Sequence, residues 1–106
     1  MNVIEINKGR KIGYEVIGNK ICFDDDLTIN LAKREEDDAV NIDVCYDQDN
    51  NLVIGSAAGR SYVAQIAIPA RQYIEKPEGE GEEMSISRTP VPFDIETVTL
   101  SLWAIE

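Results

Sequence analysis

Between Ala39 and Pro69 the chain alternates apolar and polar side chains three times over, and that period of two decides its fold class. Val40, Ile42, Val44 and Tyr46 alternate with Asn41, Asp43, Cys45 and Asp47. After the polar stretch 47–51, Leu52 and Ile54 resume the pattern. After Gly55–Gly59, Tyr62, Ala64, Ile66 and Ile68 fall on one face of a third run. Successive side chains of a strand point to opposite faces, whereas an amphipathic helix repeats its apolar positions every three or four residues. Three strands in close succession predict an antiparallel sheet, with the rest of the chain laid around it.

The flanking segments read the same way. Residues 3–7, 11–17 and 20–23 predict a three-strand meander, with Ile12, Tyr14 and Val16 on one face and Ile21 and Phe23 inward. Gly18-Asn19 suits the positive φ of a tight hairpin. Leu27, Ile29 and Leu31 alternate with Thr28 and Asn30, a strand pattern. A helix capped by Asp26 is the rival, but Thr, Ile and Asn form helices poorly, and acids at a helix C-terminus oppose its dipole. Arg34–Asp38 then reads as an acidic loop. Pro69 cannot donate to a ladder and marks an edge, a bulge or a strand end. Pro77–Glu83, with two glycines and four glutamates, offers nothing to bury and is expected to be a mobile loop. Residues 84–88 predict a short strand and 89–92 an extended segment, since each proline turns the residue before it away from helix. Ile95–Ile105 predicts a closing strand, with Val98, Leu100, Leu102 and Ala104 on one face. The expected architecture is a single all-β domain over 1–106: an antiparallel β-sandwich or partly open barrel of roughly seven to nine short strands.

Function is read mostly by exclusion. The chain has no histidine, so Ser–His and Cys–His nucleophile pairs and histidine acid–base chemistry are unavailable. Cys22 and Cys45 match no zinc spacing and read as reduced, structural thiols. The glycines match neither a phosphate loop nor a dinucleotide fingerprint. Asp47, Asp49 and Asn51 have the spacing that opens an EF-hand loop, but Leu52 stands where glycine is needed and Ala58 where the bidentate acid belongs. The expectation is therefore a non-enzyme with no cofactor and no metal. No apolar run approaches the ~20 residues that span a bilayer, and Met1–Glu5 lacks the basic and apolar regions of a secretory signal. A cytoplasmic protein without membrane contact is expected.

The net charge of −10 is unevenly spread, with the excess in residues 24–50 and 77–106. Such a surface repels phosphate backbones, so no nucleic-acid binding is expected. Two candidate surfaces follow. One is acidic: Asp24, Asp25 and Asp26 with Glu35, Glu36, Asp37 and Asp38. The other is the second face of the closing strand, where Trp103 and Ile105 lie beside Thr99 and Ser101 and would need a partner or self-association to cover them. The function these favour is a protein–protein interaction or assembly module. The alternative is an acidic inhibitor that mimics nucleic acid and fills a basic groove. A weaker one is a small-ligand carrier or hydrolase. Acids scattered over the surface favour assembly, and one contiguous stripe favours mimicry.

Overall fold

The computed structural model describes residues 1–56, 59–79 and 85–105. Its described residues form ten strands: β1 (Asn2–Glu5), β2 (Tyr14–Ile17), β3 (Lys20–Phe23), β4 (Leu27–Asn30), β5 (Val40–Tyr46), β6 (Leu52–Ile54), β7 (Ser61–Ile68), β8 (Tyr73–Glu78), β9 (Ser85–Pro90) and β10 (Thr99–Leu102). The only helical pieces among them are single 3-10 turns at Ala32–Arg34 and Ile95–Thr97. The protein is all-β, and its described residues make three sheets and no closed barrel.

The alternating stretch 40–68 supplies the middle of the main sheet, ordered β1-β10-β7-β5-β6. Val40 faces Ile68, Ile42 faces Ile66 and Val44 faces Ala64 across the β5–β7 ladder. The second sheet, β2-β3-β4, lays Ile21, Phe23, Ile29 and Leu31 over that face, and together with Ile12, Val98, Leu100 and Leu102 they form one core. Sheet packs on sheet because each has one apolar face and nothing else to bury it against.

Several expectations are corrected. The first strand leaves the predicted meander: β1 runs parallel to β10, Val3 beside Leu100, and the meander is β2-β3-β4. Alternation assigns faces, not neighbours. In β2, Tyr14 and Val16 do not share the burial of Ile12, because β2 is an outer strand; Tyr14 is 39% exposed. The strand expected at 27–31 does form, as β4 over Leu27–Asn30, and the 3-10 turn follows it. Across the β5–β7 ladder the register slips between Val44 and Cys45, so Cys45 faces Tyr62 and Val63 of β7 is the extra residue. This bulge buries Val63 and leaves Tyr62 exposed, out of line with Ala64, Ile66 and Ile68. The closing strand is shorter than expected. Asp94 accepts the Glu96 N–H at 3.0 Å and its carbonyl accepts the Thr97 hydroxyl at 2.7 Å, which folds 95–97 into a 3-10 turn before β10.

The largest correction concerns 73–90. Pro77 and Glu78, expected in a loop, belong to β8, which pairs β9 in a third sheet of two strands. The remainder of the expected acidic loop, 80–83, lies outside the described residues. Among the described residues, no side chain of this ribbon joins the core. Ile74 is 49% and Ile86 67% exposed, although they sit on opposite faces. The ribbon thus stands off as an arm, in keeping with extents of 64 × 24 × 22 Å and a radius of gyration of 18.0 Å, against ~13 Å for a compact domain of this length.

Candidate interaction surfaces

The acidic loop 35–38 is where the arm is fastened. Arg71, just before β8, donates from Nε to Glu35 Oε1 at 3.3 Å, from Nη1 to Asp37 Oδ1 at 3.2 Å and from Nη2 to the Glu35 carbonyl at 2.8 Å. Its N–H donates to the Glu36 carbonyl at 2.8 Å, and Tyr73 donates its hydroxyl to Asp37 Oδ1 at 2.5 Å. The contact chain continues up the arm. Arg88 lies over the Tyr73 ring at 4.3 Å and its Nε is 3.5 Å from Glu75 Oε1. A cation on a ring face and a cross-strand ion pair each add a fraction of a kcal/mol to about 1 at exposed sites. Part of the charge expected to face solvent is therefore spent on the arm's base.

Asp24–Asp26 sit elsewhere. They make the β3–β4 turn, in which Asp24 and Asp25 adopt φ of 54° and 52°, a left-handed conformation that Asp tolerates better than most residues. Asp24 donates its N–H to Gly13 at 2.8 Å, and Asp26 donates to Phe23 at 2.9 Å. Asp24 and Asp26 line a shallow recess with Tyr46, at the C-terminal end of β5. Glu36 borders another with Val40, at the strand's start. Six strand steps separate those ends, ~20 Å at 3.3 Å per residue. The two acidic runs thus lie at opposite ends of the main sheet and form no single stripe.

The 47–51 turn is held by one carboxylate. Asp47 Oδ1 accepts the Asp49 N–H at 2.8 Å and the Asn51 N–H at 2.9 Å, while Asn50 takes φ of 62°. The Asn51 N–H, then that of Asp49, holds the Asp47 carboxyl below the usual range. The bonds favour the charged form, so their stabilisation is present above the unfolded value of ~3.9 and is lost as pH falls through the lower folded value. A carbon-13 titration should place the Asp47 midpoint below that of an ordinary aspartate, with the Asp49 and Asn51 amides shifting in step. A midpoint at or above the ordinary value would show that the carboxylate does not hold the turn.

The four residues singled out on the closing strand divide. Thr99 and Ser101 alternate with buried Leu100 and Leu102, half-buried on the outer face of the main sheet beside Ala67 and Gln65. Trp103 follows the strand and packs on Tyr62, ring centroids 5.4 Å apart. Ile105 turns inward against the core, its N–H bonded to the Arg10 carbonyl at 2.8 Å. Trp103 and Ile105 therefore do not make one patch. Exposed apolar side chains gather instead on β1 and just after it (Val3, Ile4, Ile6), on β2 (Tyr14, Val16, Ile17) and on the arm (Ile74, Ile86). The arm had little signal in the sequence beyond two short alternations, Tyr73–Lys76 and Ser85–Thr89, with one isoleucine each.

Cys22 and Cys45 are both free. Burial, then neighbouring Asp43, pushes the Cys45 thiol's pKa up, which disfavours the reactive thiolate. A groove at the arm's base, between Pro69, Gln72, Val91 and Pro92, encloses about 180 Å³, under the ~300–1,000 Å³ of ordinary ligand pockets. Among the described residues, no three cysteine or carboxylate side chains are grouped as metal ligands would be, and no helix is long and apolar enough to cross a membrane. Comparison with protein-family models, with curated proteins and with solved structures returned no match.

Proposed function

We propose that this chain is a non-catalytic protein–protein interaction or assembly module that docks through the β8–β9 arm. The observation that carries this reading is a two-stranded ribbon with an exposed isoleucine on each face. A hairpin alone is marginally stable in water and gains stability from a further strand or an apolar cover. The latch of Arg71 and Tyr73 on the 35–38 loop orients the arm, which lowers the ordering cost of docking. The acidic-mimic reading draws less support, because the acidic runs occupy opposite ends of the sheet and one is partly neutralised by Arg71.

The test compares the parent with an Ile74→Lys, Ile86→Lys double variant as baits in extract of the native host. The parent should retain a specific protein that the variant retains at least tenfold less, while the amide spectrum of the two core sheets is unchanged. Identical retention by both baits would overturn the docking role.

A further inference from the structure

We infer that the arm's occupant is the arm of a second copy of this chain, paired edge to edge through β9 about a two-fold axis at Ser87; this rests on the docking role proposed above. The two edges of the arm are not equivalent. The Val91 N–H donates to the Gln72 carbonyl at 2.8 Å, in the register that continues from Tyr73 opposite Pro90 to Glu78 opposite Ser85. Hydrogen-bonded and non-hydrogen-bonded pairs alternate along an antiparallel ladder. Counting from Gln72 and Val91, the pairs Tyr73/Pro90, Glu75/Arg88 and Pro77/Ile86 are non-hydrogen-bonded, and their main-chain groups face outward. Both prolines fall at such positions, so neither breaks the ladder. Pro77 removes a donor from the outer edge of β8. The outer edge of β9 keeps donor and acceptor at both Ile86 and Arg88. Among the described residues no strand pairs with that edge, and such an edge is a template for another strand.

A second copy satisfies that edge reciprocally. With the axis at Ser87, Ile86 of each copy lies opposite Arg88 of the other, and the outward groups of both residues pair. Ser87 meets its own counterpart in the closer, non-hydrogen-bonded position, where a small side chain fits. No like charges stand directly opposite, and each Arg88 already has Glu75 at 3.5 Å within its own arm. Two ribbons become one four-stranded sheet, which shares one more ladder between them and is less marginal than a lone hairpin. The contact is a single strand pair, short of the ~1,200–2,000 Å² that stable complexes bury, so the dimer is weak and concentration-dependent. A charge of −10 on each copy opposes it, and salt shortens that repulsion to about 8 Å at physiological strength. Association therefore tightens as salt rises, the reverse of what a basic partner steered by charge would show.

The experiment uses the whole chain. Paired Cα atoms at Ser87 would be ~4.5 Å apart, within the ~4.4–6.8 Å a disulfide spans. Under mild oxidation Ser87→Cys should give covalent dimer at least tenfold faster than Thr89→Cys, or than the parent with its two native cysteines. Sedimentation of the parent at millimolar concentration should show mass rising toward the dimer with added salt. Ile86→Lys and Ile86→Pro should stay monomeric; the proline removes an outward N–H and no bond between β8 and β9. A parent that is monomeric at millimolar concentration in high salt, or equal cross-linking at 87 and 89, overturns the inference. If arm-dependent capture from extract then persists, the occupant is a different chain and the docking role stands. If capture is also indifferent to the arm, the docking role falls as well.

Discussion

Phe23→Ala should cost about 3–5 kcal/mol, the range for a large buried aromatic cut back to alanine, and should leave the chain barely folded. Phe23 is fully buried, on the central strand of the small sheet, facing Leu27 on β4 and Tyr14 on β2 across its ladders. With Ile21, Ile29 and Leu31 it supplies the face that seals the main sheet. A domain of this size has about 5–15 kcal/mol to lose, so one cavity removes a large share. The check is urea unfolding. With a slope of ~1–3 kcal/mol/M, the midpoint should drop by roughly 1–5 M, while Tyr14→Ala, at an exposed position on the edge strand, should move it far less. A loss under about 1 kcal/mol for Phe23→Ala would mean the two sheets do not share a core.

The same contrast explains what the sequence disclosed. Strands 40–46 and 61–68 were legible because one of their faces is buried, and burial is what writes alternation into a sequence. The arm was illegible for the converse reason. Tyr73, Glu75 and Pro77 on one face and Ile74 and Lys76 on the other are mixed alike, since neither face meets the core. Alternation also could not say that Val3 would lie beside Leu100 rather than in the meander, because it specifies a face and leaves the neighbour free. The bulge at Val63 turned Tyr62 outward, and that slip has no local signature. For the candidate surfaces, the composition located the acids, but only the fold sets Glu35 and Asp37 against Arg71. Trp103 and Ile105 parted because the strand ends at Leu102. The Asp94 cap, with Thr97 three residues on, was the readable sign that the extended segment should begin later.

Gly59→Ala should destabilise by about 1–3 kcal/mol, the cost of forcing a methyl into a packed site, although nothing about its φ requires glycine. A Cβ there would stand 2.9 Å from Cys45 Cβ, 3.0 Å from Cys45 Sγ and 3.4 Å from the Ser56 carbonyl. The loop cannot simply back away. Gly59 donates its N–H to Ser56 at 3.1 Å, and Arg60 donates to the Tyr46 carbonyl at 2.7 Å, tying both sides of the glycine. Cys45 cannot yield either, since it is buried and its Cβ is fixed by the β5 backbone, which pairs with β7 on both sides of the Val63 bulge. Glycine at 59 thus leaves out a side chain where the backbone passes Cys45. Gly13→Ala is the control: no atom lies within 4 Å of its added Cβ, and at a compatible φ the change should be neutral or stabilising by up to about 1 kcal/mol. Adding Cys45→Ala to Gly59→Ala removes the Sγ contact and leaves the Cβ contact, so it should restore part of the loss, with a coupling of about 0.5–3 kcal/mol in a double-mutant cycle. Strict additivity of the two, or a Gly59→Ala chain as stable as Gly13→Ala, would show that Gly59 does not rest on Cys45.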